Sequence, residues 1–340
     1  MLRAARAHSE SPRMAACGGE TRDGRIPTGT TVAMRAYMNR NLRFAAAGAA
    51  AAATLFVHAR VRSAQRAHPA RGGFAAGLHY VERGFGVPVV LLHGLGSMLE
   101  DFELSGLVER ASRQYHVFAF DRPGYGHSAR PRGTLWTPRA QARLLRASLD
   151  QLGIARPVIV GHSWASQVAI AYGLEYPQQT RGLVLASGYY YPTARADAPF
   201  LIPPAIPLLG TVLRHTLSPV AGRLLWPLWL RLLFGPMPVP GYFARFPTWM
   251  ALRPEPLRAV GEESAMLLPV AIRMRQEYAK LKVPVAIVAG TQDRFVGTRG
   301  HSARLHAELP GSTYLPVSGA GHMVHHAAPE ALMGAISQLA

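Results

Sequence analysis

The feature that most limits the fold is a succession of short, nearly uninterrupted apolar runs separated by stretches of helical periodicity. PVVLL at 88–92, HVFAF at 116–120, PVIV at 157–160, LVLA at 183–186 and VAIVA at 285–289 are rich in β-branched or aromatic side chains. Strands buried on both faces have this composition, whereas LHYVERG at 78–84 alternates. Between the runs, Thr137-Pro138 opens a helix in which Leu145, Leu149 and Leu152 recur at i, i+4 and i+7 before Gly153 stops it. Strand and helix in alternation predict an α/β protein whose mostly parallel, doubly wound sheet is covered on both faces. With 340 residues, 49% hydrophobic and 16% charged, the chain can bury a sizeable core.

The formal charge of +18 raises the question of a nucleic-acid partner, and its distribution answers it. Residues 1–73 hold 12 Arg against Glu10, Glu20 and Asp23, so half the excess precedes the globular pattern. Elsewhere Arg is scattered singly, without the basic and aromatic interleaving of a binding groove, and no nucleic-acid partner is expected. Within the leader, residues 44–57 read FAAAGAAAAATLFV, with Arg40 and Arg43 before and Arg60, Arg62 and Arg66 after. Fourteen residues fall short of the roughly 20 that cross a bilayer, and the basic flanks favour an anionic membrane surface with the following domain on the cytoplasmic side. Val57-x-Ala59 also fits a signal-peptidase site, so export after cleavage is the alternative. The lone cysteine, Cys17, excludes an internal disulfide framework.

Three parts are expected: a basic leader over 1–73, an α/β core over 74–190 and 283–340, and a lid inserted at 191–282. The lid holds fourteen prolines together with Trp226, Trp229 and Trp249, a density that predicts short helices joined by turns.

Chemistry concentrates where strands end. Gly161-His162-Ser163-Trp164-Ala165 follows PVIV and opens the helical pattern ASQVAIAYGLEYP, the strand-turn-helix context of a nucleophile elbow. Small residues stand two before and two after the serine because such a turn is tight, with Ala165 where the usual pattern has Gly.

From residue 78 onward the chain resembles the α/β-hydrolases of the lidded, esterase-like branch. His93-Gly94-Leu95-Gly96 after PVVLL matches the oxyanion loop, and Asp121-Arg122-Pro123-Gly124-Tyr125-Gly126-His127-Ser128 matches the D-x-x-G-x-G-x-S turn. Gly290-Thr291-Gln292-Asp293 matches the acid-bearing turn, and Gly319-Ala320-Gly321-His322 the terminal histidine loop. The resemblance implies Ser163 as nucleophile, His322 as base and Asp293 as its orienting acid, with the N–H groups of Leu95 and Trp164 as the oxyanion hole. No metal and no organic cofactor is expected, since no clustered His/Asp/Glu spacing or phosphate-cradling loop competes with these residues. His325 and His326 are expected on the surface or in a following loop, and His93 and His162 in packing or hydrogen bonding. Asp121 is expected to tie its own turn, Asp150 to lie on a helix surface, and Glu262 and Glu263 to form an exposed acidic pair.

Dehalogenases and epoxide hydrolases of the family attack with Asp at the elbow, so Ser163 points away from both. The expected activity is hydrolysis of small apolar esters under the lid, with Trp229, Phe234 and Trp249 facing substrate. Proline-iminopeptidase-like or C–C bond hydrolysis, and an idle fold serving as a receptor or membrane-tethered scaffold, stay open as alternatives.

Overall fold

The computed structural model describes residues 28–340; Cys17 and the rest of 1–27 lie outside the described residues. The chain divides into two units, up to Ala49 and from Ala50 onward, and one helix, Thr28–Ala67, runs through both. The apolar segment 44–57 is therefore the middle of a 40-residue helix rather than an isolated run.

The second unit is built on an eight-stranded sheet ordered β1-β2-β4-β3-β5-β6-β7-β8. The strands are β1 Gly73–Ala75, β2 Leu78–Arg83, β3 Pro88–Leu92, β4 His116–Phe120, β5 Val158–His162, β6 Gly182–Ala186, β7 Val285–Gly290 and β8 Thr313–Val317. β1 pairs β2, and β2 pairs β4, antiparallel; every other pairing is parallel. The sheet is the mostly parallel, doubly wound α/β sheet expected. Each face buries its own core. On one, Val90, Phe118, Ile159, Leu183 and Ile287 meet the helices Pro138–Gln151 and Ala165–Glu175. On the other, Val89, Leu91, Val117, Val160 and Val288 meet Phe102, Val324 and the helix Pro329–Leu339. Alternate residues of one strand thus fill opposite cores, which is why the runs are apolar at every position.

Thr137 caps Pro138–Gln151 by accepting from the Ala140 N–H, and Pro138 occupies the first turn, where its missing N–H costs nothing. The lid departs from expectation. It contains an 18-residue helix, Leu217–Phe234, and a 21-residue helix, Pro254–Met274, as well as short ones. Pro219, Pro254 and Pro256 sit in first turns, where they are tolerated; only Pro227 and Pro269 lie in helix interiors, each forfeiting a single backbone hydrogen bond.

Candidate active site

β5 ends at His162 and the chain reverses at once into the helix Ala165–Glu175, leaving Ser163 at the tip with φ +55°. A non-glycine residue in this left-handed region is strained, and the surroundings hold it there: the Ser163 N–H donates to the Ala186 carbonyl at 2.8 Å. Gly161 is obligatory because a Cβ at that position would stand 2.5 Å from the Ala165 carbonyl oxygen. Ala165 itself fits, fully buried, so its methyl group is compatible with the elbow.

Two further loops descend from neighbouring strand ends. Asp293 follows β7 and His322 follows β8. His322 Nε2 accepts from Ser163 Oγ at 2.9 Å, and its Nδ1–H donates to Asp293 Oδ2 at 2.8 Å. The other oxygen, Asp293 Oδ1, accepts from the N–H groups of Phe295 and Val296. Burial alone would raise the Asp293 carboxyl, but the His322 imidazole and these donors hold it below the usual carboxylate range. Gly290 allows the two loops to touch, since any side chain there would overlap the carbonyls of Ala320 and Gly321. The structure therefore brings Ser163, His322 and Asp293 together from three strand ends, with Ser163 only 7% exposed beneath the lid.

Leu95 and Trp164 lie on the two loops flanking Ser163, and among the described residues neither backbone N–H donates to an acceptor. Gly94 sits so close to Ser163 that a Cβ would be 3.1 Å from the serine Cβ. Above the elbow, Met266, Leu267 and Ala271 of the helix Pro254–Met274 close an apolar cluster with Trp164, Tyr189 and Val296, and Leu95 and Phe295 pack against it.

The three aromatic residues expected to face substrate have separate positions. Trp229 meets Phe295 edge-on at 6.4 Å, and Phe295 lies 4.9 Å from the His322 ring. Phe234 is buried against Phe243 and His326, and Trp249 is engaged by Phe56 and Arg60. For Phe234 and Trp249 the expectation does not hold, because packing already occupies their rings.

Several polar residues also differ from expectation. His325 and His326 are buried rather than surface groups: the short helix Val324–Ala327 turns both toward Asp101. His326 Nε2–H donates to Asp101 Oδ1 at 2.7 Å, and His325 Nε2 lies 3.3 Å from Oδ2. Burial would raise Asp101, yet the two histidines hold it well below the carboxylate range. Asp101, His162 and His325 also form the one trio among the described residues whose donor atoms, within 4.8 Å of one another, could gather round a metal ion.

Glu263 is likewise not an exposed acid. It is fully buried, bonded to Arg122 through both oxygens at 2.8 and 3.1 Å, to Tyr125 Oη at 2.7 Å and to Gln141 Nε2 at 2.8 Å. Arg122 in turn donates to the carbonyls of His93 and Gly94, so one buried guanidinium ties the loop after β3 to the lid. Glu262 pairs with Arg130. His93, His162, Asp121 and Asp150 are where sequence places them. His93 Nε2 accepts from the Arg122 N–H, His162 Nε2–H donates to the His322 carbonyl, and Asp121 accepts from the N–H groups of Leu99 and His127. Asp150 pairs with Arg146 on an exposed helix face.

The sequence model of the alpha/beta hydrolase fold matches residues 87–329. The chain belongs to the α/β-hydrolase family. This α/β-hydrolase is 27% identical over 263 residues to an uncharacterized protein of Mycobacterium tuberculosis, covering 72% of this chain and 73% of the relative. It is 26% identical over 246 residues to the uncharacterized hydrolase YugF of Bacillus subtilis, covering 71% and 85%. Among solved structures, a hydrolase from Pseudomonas aeruginosa superposes with a TM-score of 0.62 at 21% identity, covering 77% of this chain and 93% of that one.

Proposed function

We propose that this α/β-hydrolase cleaves carboxylic esters of apolar substrates through an acyl-enzyme on Ser163. The observation that carries the reading is the unbroken line Ser163 Oγ, His322, Asp293, at 2.9 and 2.8 Å, under an apolar roof. Serine is a weak nucleophile until a base takes its proton, and His322 Nε2 is in place to do so. The Asp293 carboxylate fixes the tautomer with the proton on Nδ1 and stabilises the imidazolium that forms. As Oγ bonds to the ester carbon, negative charge moves to the carbonyl oxygen, and the free N–H groups of Leu95 and Trp164 are the donors to receive it. His322 then protonates the leaving alkoxide, and water, activated by the same histidine, hydrolyses the acyl-enzyme.

An aminopeptidase would need a free acid for the substrate amine. Glu263 and Glu262, the acids considered for that role, are already neutralised by Arg122 and Arg130. We also propose that the apolar stretch of the N-terminal helix attaches the enzyme to a membrane: Tyr37–Ala67 is long and apolar enough to cross one.

A fluorophosphonate probe tests the ester-hydrolase reading. Wild type should be labelled stoichiometrically, and Ser163→Ala should be unlabelled while keeping its circular dichroism spectrum. An unlabelled wild type would point to an idle receptor fold, and a labelled Ser163→Ala would move the nucleophile elsewhere.

A further inference from the structure

Residues 198–254 of the lid contain five arginines, Arg214, Arg223, Arg231, Arg245 and Arg253, and no Asp or Glu. In the same stretch large apolar side chains face outward. On the helix Leu217–Phe234, Leu217, Leu224, Leu228 and Leu232 are 62, 76, 53 and 49% exposed. Their spacing of seven, four and four residues aligns them as one stripe, while Trp226, Leu230, Leu233 and Phe234 fill the opposite side. The adjoining helix Leu209–His215 adds exposed Leu209 and Val212. A continuous apolar face of this kind on a water-soluble surface marks a place of contact.

We propose that this face rests on an anionic lipid bilayer. Charge decides between occupants. Arg214 and Arg253 turn inward to the Pro204 and Gly126 carbonyls, but Arg223, Arg231 and Arg245 are exposed. Two copies meeting here would crowd six arginines around the contact without an acid from this stretch, whereas anionic headgroups neutralise them. Exposed Arg231 borders the leucine stripe, where its aliphatic stem can lie along apolar surface and its guanidinium group reach headgroups. Continuity points the same way. The last part of the membrane-compatible helix packs on the lid, with Phe56 edge-on to Trp249 at 5.9 Å and His58 3.2 Å from His215. Leu55 and Phe56 are themselves half-exposed or more.

The inner side of the same helix reaches the candidate site. Trp229 touches Phe295, Phe295 touches His322, and the Leu233 carbonyl accepts the His322 N–H at 3.1 Å. A lid helix lying on lipid therefore sets the site beside the bilayer, and its substrate class is acyl esters dissolved there. This last step rests on the ester-hydrolase reading; the contact itself does not.

The test uses the full chain with Cys17→Ser and an environment-sensitive fluorophore on Leu228→Cys, with Ala147→Cys on the exposed face of a core helix as control. On vesicles of mixed phosphatidylcholine and phosphatidylglycerol, the label at 228 should shift to the blue and be quenched by brominated lipid; the label at 147 should do neither. Three results would overturn the proposal: no vesicle binding, a water-exposed label at 228 on bound protein, or a blue shift that grows with protein concentration without lipid, which would identify a second copy. Separately, Leu224→Ser/Leu228→Ser/Leu232→Ser should lower hydrolysis of a vesicle-borne ester about tenfold or more relative to a soluble p-nitrophenyl ester, as loss of three apolar anchors implies. Equal rates on the two would also overturn it. If wild type hydrolyses neither ester while the label at 228 enters lipid, the ester reading fails and the contact stands.

Discussion

Arg122 of the core holds Glu263 of the lid through two hydrogen bonds at 2.8 and 3.1 Å, with both side chains essentially excluded from water. Removing one partner of such a pair leaves a buried charge and costs about 3–5 kcal/mol. Glu263→Gln should therefore lower unfolding free energy by about that amount in urea titration. Arg122→Lys should lose, in addition, the fork that supports the His93 and Gly94 carbonyls, and its turnover should fall more than its affinity for substrate. A Glu263→Gln protein of unchanged stability would show that the pair does not hold the lid.

Acid should weaken the fold before it protonates carboxylates. Burial pushes His93 and His301 down to about 4, helped at His93 by Arg122 and by the N–H donated to its Nε2. Unfolded, both titrate near the ordinary value of about 6.5. Between about 6.5 and 4 the unfolded chain binds more protons than the folded one, so stability rises with pH through that window. Each group contributes on the order of 3 kcal/mol at pH 7 that is lost as pH falls to about 4. Denaturation midpoints measured from pH 7 to 4 should fall steadily; a flat profile would refute the neutral, buried assignment of these histidines.

Substrate preference should follow the apolar roof of Met266, Leu267 and Ala271. Each further buried methylene contributes about 0.8 kcal/mol, so kcat/KM for p-nitrophenyl esters should climb roughly threefold or more per methylene from acetate to medium-chain acyl groups. A preference for acetate would contradict the placement of the acyl chain beneath that helix.

The strands and the elbow were legible in sequence because a doubly buried strand is apolar at every position and a tight turn demands small residues around Ser163. β1 and β8 were not. The first is three residues long, and the second is an edge strand, Thr313–Val317, with no fully buried residue and an exposed Pro316. Asp101 with His326, 225 residues apart, and Arg122 with Glu263, 141 apart, carry no local pattern. Only the assembled core brings them into contact. The lid was legible as an insertion but not in its helices, because proline content predicts breaks without saying that three of the five prolines in its two long helices fall in first turns and most of the others lie between helices.

The acyl-enzyme itself is the most direct object to measure. Wild type mixed with a p-nitrophenyl ester, quenched within the first turnovers and examined by intact and peptide mass spectrometry, should carry one acyl group on Ser163. Asp293→Asn should form it far more slowly, and Ser163→Ala/His322→Gln should be little worse than either single change, as expected of groups that act as one unit. Ester turnover with no acyl group on Ser163, or turnover undiminished in Ser163→Ala, would contradict the serine mechanism.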